Sequence, residues 1–150
     1  MDRSEWQRVY EECFPRVFRA LVAIGARPDE AEDALHDAFE RALAKRDDVQ
    51  RPEAWLFVVS MRHWRRRRVR NTIFAPLSAL IRAADRDGAA TDALNELRRL
   101  PLRQRQVLAA RYLLGLSQDE TAAALGIARG TVAAHTSQGL ARLRERLEVR

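Results

Sequence analysis

Cysteine is almost missing from this chain. Cys13 is the only one in 150 residues, which excludes an intramolecular disulfide and a thiolate cluster for a metal. Such usage fits a reducing compartment. Long apolar runs are missing too: no stretch approaches the roughly 18 apolar residues of a membrane span. Met1-Asp2-Arg3-Ser4-Glu5 leads into mixed charge rather than the apolar core of a signal peptide. A cytoplasmic chain with no membrane insertion is the expectation. Glycine is scarce, at 6 residues, and β-branched residues are scattered, while Ala, Leu, Arg and Glu dominate. That mixture favours helix nearly everywhere, so the fold class is all-α. His36, His63 and His135 stand far apart with no catalytic partners in view, and no phosphate loop, nucleophile with a base, or metal motif accompanies them. Neither enzymatic activity nor a cofactor is expected.

What the chain has in quantity is arginine. The 27 Lys+Arg exceed the 21 Asp+Glu by a formal charge of +6, which favours an anionic partner without naming it. The distribution says more. From Met1 to Met61 there are 9 basic and 13 acidic residues, Arg62 to Arg70 holds six arginines and no acid, and Ala93 to Arg150 holds 10 basic against 5 acidic residues. An acidic first part with a basic tail is therefore followed by a basic last part.

Helix signals divide the chain into two small helical domains joined by a linker. Trp6 to about Gly25 reads as an amphipathic helix or a pair of them. Asp29 and Glu32 form a candidate capping box ahead of Leu35, Phe39 and Leu43, in a helix expected to reach about Lys45. After the polar break from Arg46 to Arg51, Pro52 suits the first turn of a helix carrying Trp55, Leu56, Val59 and Trp64 into the arginine run. The first domain is residues 1–70. Pro76 and the small, polar run from Asp85 to Thr91 place a linker at 71–92. Residues 93–150 form the second domain, where Pro101 marks a short break, Val107, Leu108, Tyr112 and Leu113 form an apolar stripe, and Gly115 is placed to end that helix.

The strongest motif is a helix-turn-helix from Ser117 to about Gln138. Ser117-Gln118-Asp119-Glu120 is a capping box, and Gly126 falls where the turn between two crossed helices needs a residue without a Cβ. Ile127 and Val132 can plug the space between the helices. The second helix, from Arg129 to about Leu147, would lie in a DNA major groove with its N-terminal residues at the base edges. Arg129 is the best candidate base or phosphate reader. Thr131, His135, Ser137 and Gln138 could add weaker polar contacts, although for each taken alone a solvated surface residue is the better reading. A plain helical hairpin inside a bundle is the rival reading of the motif.

Taken together, these segments resemble the extracytoplasmic-function group of bacterial sigma factors over nearly the whole chain. Pro28 to Leu43, followed by Trp55-Leu56-Phe57, is similar to the domain that binds core polymerase and melts the −10 element. Leu100 to Leu108, Leu116 to Ile127 and Gly130-Thr131-Val132 are similar to the domain that reads the −35 element. The resemblance implies that Asp33, His36, Asp37 and Glu40 dock on the basic clamp helices of the largest polymerase subunit. Most members place an amide where His36 stands. It implies a −10 contact surface of Arg46, Asp47, Asp48, Val49 and Arg51, in the loop that captures a flipped base, with Arg62, Arg65 and Arg66 on the following helix. The −35 surface would be Arg129, Thr131, His135, Ser137 and Gln138. Implied partners are the RNA polymerase core, including the flap of its second-largest subunit, promoter DNA and an anti-sigma factor. Members usually carry basic residues where this chain has Ala133, Ala134, His135 and Gln138, so weak binding to the −35 element by the second domain alone is expected. Two rivals remain at this point: a stand-alone DNA-binding regulator with an N-terminal dimerisation or sensing domain, and an adaptor that has lost promoter recognition.

Overall fold

The computed structural model describes residues 2–45, 51–74 and 92–148, and among them every regular element is helical. The first half contains α1 (Arg3–Ile24), α2 (Pro28–Lys45) and α3 (Pro52–Phe74). The second contains α4 (Asp92–Arg99), α5 (Leu102–Leu108), a π-helical continuation at Ala109–Leu113, α6 (Gln118–Leu125) and α7 (Arg129–Glu148).

Helix α1 is a single element despite Pro15 in its interior. A capping box that the sequence reading missed starts it: Asp2 Oδ1 accepts the Glu5 N–H at 2.8 Å, and Glu5 Oε2 accepts the Asp2 N–H at 2.6 Å. Val17, Leu21 and Ile24, three and four residues apart, line its fully buried face. Opposite them stand Leu35 and Phe39 of α2 and Leu56, Phe57, Met61 and Trp64 of α3. Trp6 meets Phe39 edge-on with ring centroids 5.9 Å apart.

The α2 cap differs from the expected one. Pro28 takes the first helical position, where its fixed φ and missing N–H cost nothing, and the Arg27 N–H donates to Glu30 Oε1 at 3.0 Å. The start therefore lies ahead of the anticipated Asp29–Glu32 box, and Asp29 and Glu30 sit in the first turn, favourably placed against the helix dipole. The apolar stripe of the second half is also corrected. Val107 and Leu108 are buried, but Tyr112 is 58 % and Leu113 40 % exposed. The π-helical stretch widens the turn, so residues beyond Leu108 rotate off the α-helical register and Ala109, Ala110 and Leu114 face inward instead.

The helix-turn-helix forms as its local signals require. Ser117 Oγ accepts the Glu120 N–H at 3.0 Å, and Glu120 Oε1 accepts the Ser117 N–H at 3.2 Å. Gly126 ends α6 in the left-handed region at φ 67°, and Val132 is fully buried. Buried Glu96 of α4 faces Arg146 of α7 and Arg99, each at 3.6 Å, tying the far end of α7 down.

These contacts rank two substitutions. Trp6→Ala removes a buried aromatic and should lower unfolding free energy by about 3–5 kcal/mol, whereas Ser117→Ala removes one cap bond and should cost about 1 kcal/mol. Urea denaturation followed by circular dichroism measures both, and equal midpoints for the two variants would contradict this account of the core.

Candidate nucleic-acid interface

Helix α7 turns Val132 and Gly139 inward and leaves Arg129, Thr131, Ser137 and Gln138 exposed. Gly130, Ala133, Ala134 and Ala141 lie exposed among them, so the outward surface from Arg129 to Ala141 is neutral apart from Arg129, while Arg142, Arg144 and Arg146 are exposed further along the helix. Arg129 pairs with Asp119 at 3.1 Å, with both side chains about 70 % exposed. Solvent screens such a pair, so the guanidinium exchanges readily to a phosphate. Gln118 Nε2 donates to the Arg129 carbonyl at 3.1 Å, fixing the start of α7 against the start of α6. Two residues depart from free readers. His135 is half-buried, with Nδ1 enclosed, and the Gln138 amide oxygen accepts from Gln104 Nε2 at 3.4 Å.

On α3 the side chains of Ser60, Met61 and Trp64 point inward, which sends Arg62, Arg65 and Arg66 to the opposite, exposed face. Their spacing aligns three guanidinium groups in one patch, a geometry suited to successive backbone phosphates. Arg51, just ahead of α3, is exposed and paired with Glu120 of α6. Arg46, Asp47, Asp48 and Val49 lie outside the described residues.

The acidic face of α2 is partly engaged by α3. His63 lies between two carboxylates, with Nε2 3.4 Å from Asp33 Oδ2 and Nδ1 3.2 Å from Asp37 Oδ2. Arg67 also pairs with Asp33, and Arg41 reaches Asp37 at 2.9 Å. His36 is exposed, 3.2 Å from the Tyr10 hydroxyl, and Glu40 is exposed. The structure thus brings Asp33, His36, Asp37 and Glu40 onto one face and adds Tyr10, Arg41, His63 and Arg67 to it. Only the Asp37–Arg41 pair, one helical turn apart, carried a signal in the sequence. The other partners come from 26 to 34 residues away.

Trp55 is half-buried against Trp6, at 6.0 Å between centroids, and belongs to the core edge. Among the described residues no His, Cys, Asp and Glu grouping could hold a metal ion, and no helix is long and apolar enough to cross a membrane. Burial, and then the charges of Glu53 and Glu12, push the Cys13 thiol up to about 11 against the opposing pull of Arg16. Burial also raises the Glu53 carboxyl, opposed by Arg16 and Arg51. The native state therefore holds that proton longer than the unfolded chain, and the contribution of Glu53 to stability falls as pH rises from the ordinary carboxylate range through the raised value.

Residues 9–72 match the family model for Sigma-70 region 2, and residues 91–143 match that for Sigma-70, region 4. An RNA polymerase sigma-E factor of Streptomyces avermitilis is 32 % identical over 162 residues, covering 100 % of this chain and 87 % of the relative. The ECF RNA polymerase sigma factor SigM of Mycobacterium tuberculosis is 30 % identical over 150 residues, covering 95 % of this chain and 76 % of the relative. Among solved structures, the sigma factor RpoE in complex with the anti-sigma factor NepR from Bartonella quintana superposes with a TM-score of 0.74 at 23 % identity, over 97 % of this chain and 98 % of that one. CnrH in complex with the cytosolic domain of CnrY gives 0.72 at 21 % identity, over 99 % and 90 %.

The raised thiol pKa has a direct chemical consequence. At pH 8 the thiolate fraction of Cys13 should be about 100-fold below that of an ordinary thiol, so labelling by a disulfide reagent should slow by about that factor and recover on unfolding. Fast labelling of the native chain would contradict the burial described here.

Proposed function

The chain belongs to the extracytoplasmic-function group of bacterial RNA polymerase sigma factors, and on that premise we propose how its parts divide promoter-specific initiation between them. Residues 1–70 bind the polymerase core and open the −10 element, residues 93–150 read the −35 element, and residues 71–92 connect the two. The observation that carries this division is the presence, in one chain and in this order, of a helix with an outward arginine patch and a capped helix-turn-helix.

In this reading Asp33, His36, Asp37 and Glu40 meet the basic clamp helices of the largest core subunit. Complementary charge there speeds encounter and fixes register more than it adds affinity. The flap of the second-largest subunit is a further contact. Arg62, Arg65 and Arg66 hold promoter phosphates beside the −10 element, where Arg46, Asp47, Asp48, Val49 and Arg51 receive the opened strand. Flipping a base costs a few kcal/mol, and contacts made only to the opened strand offset that cost. Arg129, Thr131, His135, Ser137 and Gln138 face the −35 element. The protein works by binding rather than by catalysis, needs no cofactor, and acts in the cytoplasm. Both superposed proteins are bound to a partner, and in the NepR complex these are named as a sigma factor and its anti-sigma factor, which supports control of this chain by an anti-sigma factor. The neutral face of α7 supports weak −35 affinity, made useful when polymerase holds both halves on one promoter.

Run-off transcription with core polymerase on randomised promoters tests the division. Chain-dependent transcripts should share two sequence elements, and sequence-specific DNA binding without polymerase, in the absence of transcripts, would favour a stand-alone regulator. In the same system, replacing Arg62, Arg65 and Arg66 by Ala should reduce the slope of log affinity against log salt by roughly two to three, at about 0.7–0.9 per phosphate contact. An unchanged slope would remove these arginines from the DNA surface.

A further inference from the structure

The helix that carries the arginine patch also reaches back to the acidic face of α2. His63 of α3 lies between two carboxylates, with Nε2 3.4 Å from Asp33 Oδ2 and Nδ1 3.2 Å from Asp37 Oδ2. A neutral imidazole has one N–H and one lone pair, and a lone pair facing a carboxylate oxygen is repelled. Only the imidazolium, with a proton on each nitrogen, satisfies both contacts at once. The inner part of the site is closed to water. His63 is half-buried, and Asp37 Oδ2, which also meets Arg41 Nε at 2.9 Å, is buried, so charges there are screened less than on an open surface. Asp33 is the open end: its side chain is 51 % exposed and pairs with Arg67, one turn beyond His63. His36 and Glu40 continue the face along α2, and Arg66 stands beside Arg67 on α3. From α1 the group on this face is Tyr10, whose hydroxyl lies 3.2 Å from His36 Nε2. Among the described residues no ion pair joins α1 to the cluster.

We propose that His63 is a positioning residue for polymerase docking: as the imidazolium it spans Asp33 and Asp37 and occupies the place that a basic partner needs, and as the neutral ring it releases one of them, so core binding tightens as pH rises. This rests on the division of roles proposed above, in which Asp33, His36, Asp37 and Glu40 meet a basic surface of the core. A cationic side chain of the partner and the imidazolium compete for the same carboxylate oxygens. Arg41 and Arg67 compete as well, but their charge is fixed, because a guanidinium keeps its proton. Histidine is the side chain whose charge changes between about pH 5 and 8. Loss of one proton leaves His63 able to donate to one carboxylate at most, and the other is free to turn to a cation that arrives from outside. The face thereby gains one unit of negative charge with no change of fold. A lysine or arginine at position 63 would neutralise the face permanently, and an apolar residue would leave it always open. A histidine alternates between the two.

Equilibrium binding of the full chain to core polymerase, followed by fluorescence anisotropy between about pH 6 and 8, tests this. The parent chain should bind roughly three- to fivefold more weakly at the acid end, the size of one partly exposed ion pair. His63→Gln keeps a neutral donor that does not titrate, and it should hold the tighter affinity throughout. His36→Gln removes the other histidine of the face and should keep most of the pH dependence, because His36 faces a hydroxyl rather than a carboxylate. Comparing each variant with the parent at the same pH cancels the titration of the polymerase itself. Circular dichroism checks that the variants fold. Ring nitrogen chemical shifts of the parent chain should show His63 gaining its second proton over the same pH range in which affinity falls, a reading that holds even where a variant does not fold. A parent profile that His63→Gln reproduces, that His36→Gln abolishes, or that tightens in acid would overturn the role of His63, as would an affinity change outside the range of the ring titration. Binding with no pH dependence would overturn it too, while leaving the division of roles in place. If the parent chain does not bind core at any pH, that division fails and the role of His63 falls with it.

Discussion

A helix that ends inside a protein leaves carbonyl oxygens that water cannot reach, and those oxygens must find donors. In this chain the end of α1 at Ile24 is such a place, and most of the architecture follows from how it is satisfied. The backbone of Gly25 and Ala26 returns to Val22 and Leu21. The remaining acceptor capacity is met by guanidinium groups that arrive from 72 to 81 residues away. Arginine suits the task because its planar fork can address neighbouring carbonyls while it stays charged. A lysine ammonium offers no such fixed fork. The helix that organises the first half thereby becomes the surface on which the second half is seated.

The same residue type performs three different tasks, and composition cannot separate them. Arg62, Arg65 and Arg66 face solvent in one patch, Arg98 and Arg105 are consumed by backbone carbonyls, and Arg67 and Arg41 neutralise aspartates of α2. The formal charge of +6 therefore overstates the positive charge open to an anionic partner at the surface. The α2 face is likewise less negative than its sequence suggests, since His63 and two arginines already lie against Asp33 and Asp37. A basic partner at that face must exchange with these groups, which makes it selective for a surface that replaces all of them together.

Local signals were legible in the sequence and long-range ones were not. The Ser117–Glu120 box, the left-handed Gly126 and the plug at Val132 are set by neighbours within a few residues, and they appear where the sequence puts them. The α2 start moved because two local devices competed and the proline position won over the side-chain box. Tyr112 and Leu113 were misread because a π-helical turn breaks the 3.6-residue period on which the reading relied. Capture of Ile24 by Arg105, and of Asp33 by Arg67, had no sequence signal at all, since nothing local distinguishes those arginines from their neighbours. On the candidate surfaces the residues were nameable, while their present partners were not.

The neutral start of α7 bears on how the second half can be used. In the role proposed for it, a helix whose first three turns expose a single arginine, already facing Asp119, gains little phosphate attraction there, so specificity would rest on shape and on contacts to base edges. Such a helix is useful only when another contact holds it at high local concentration over its site. In the proposed division of roles the first half supplies that contact, because the intervening chain tethers α7 near any duplex that the arginine patch of α3 holds.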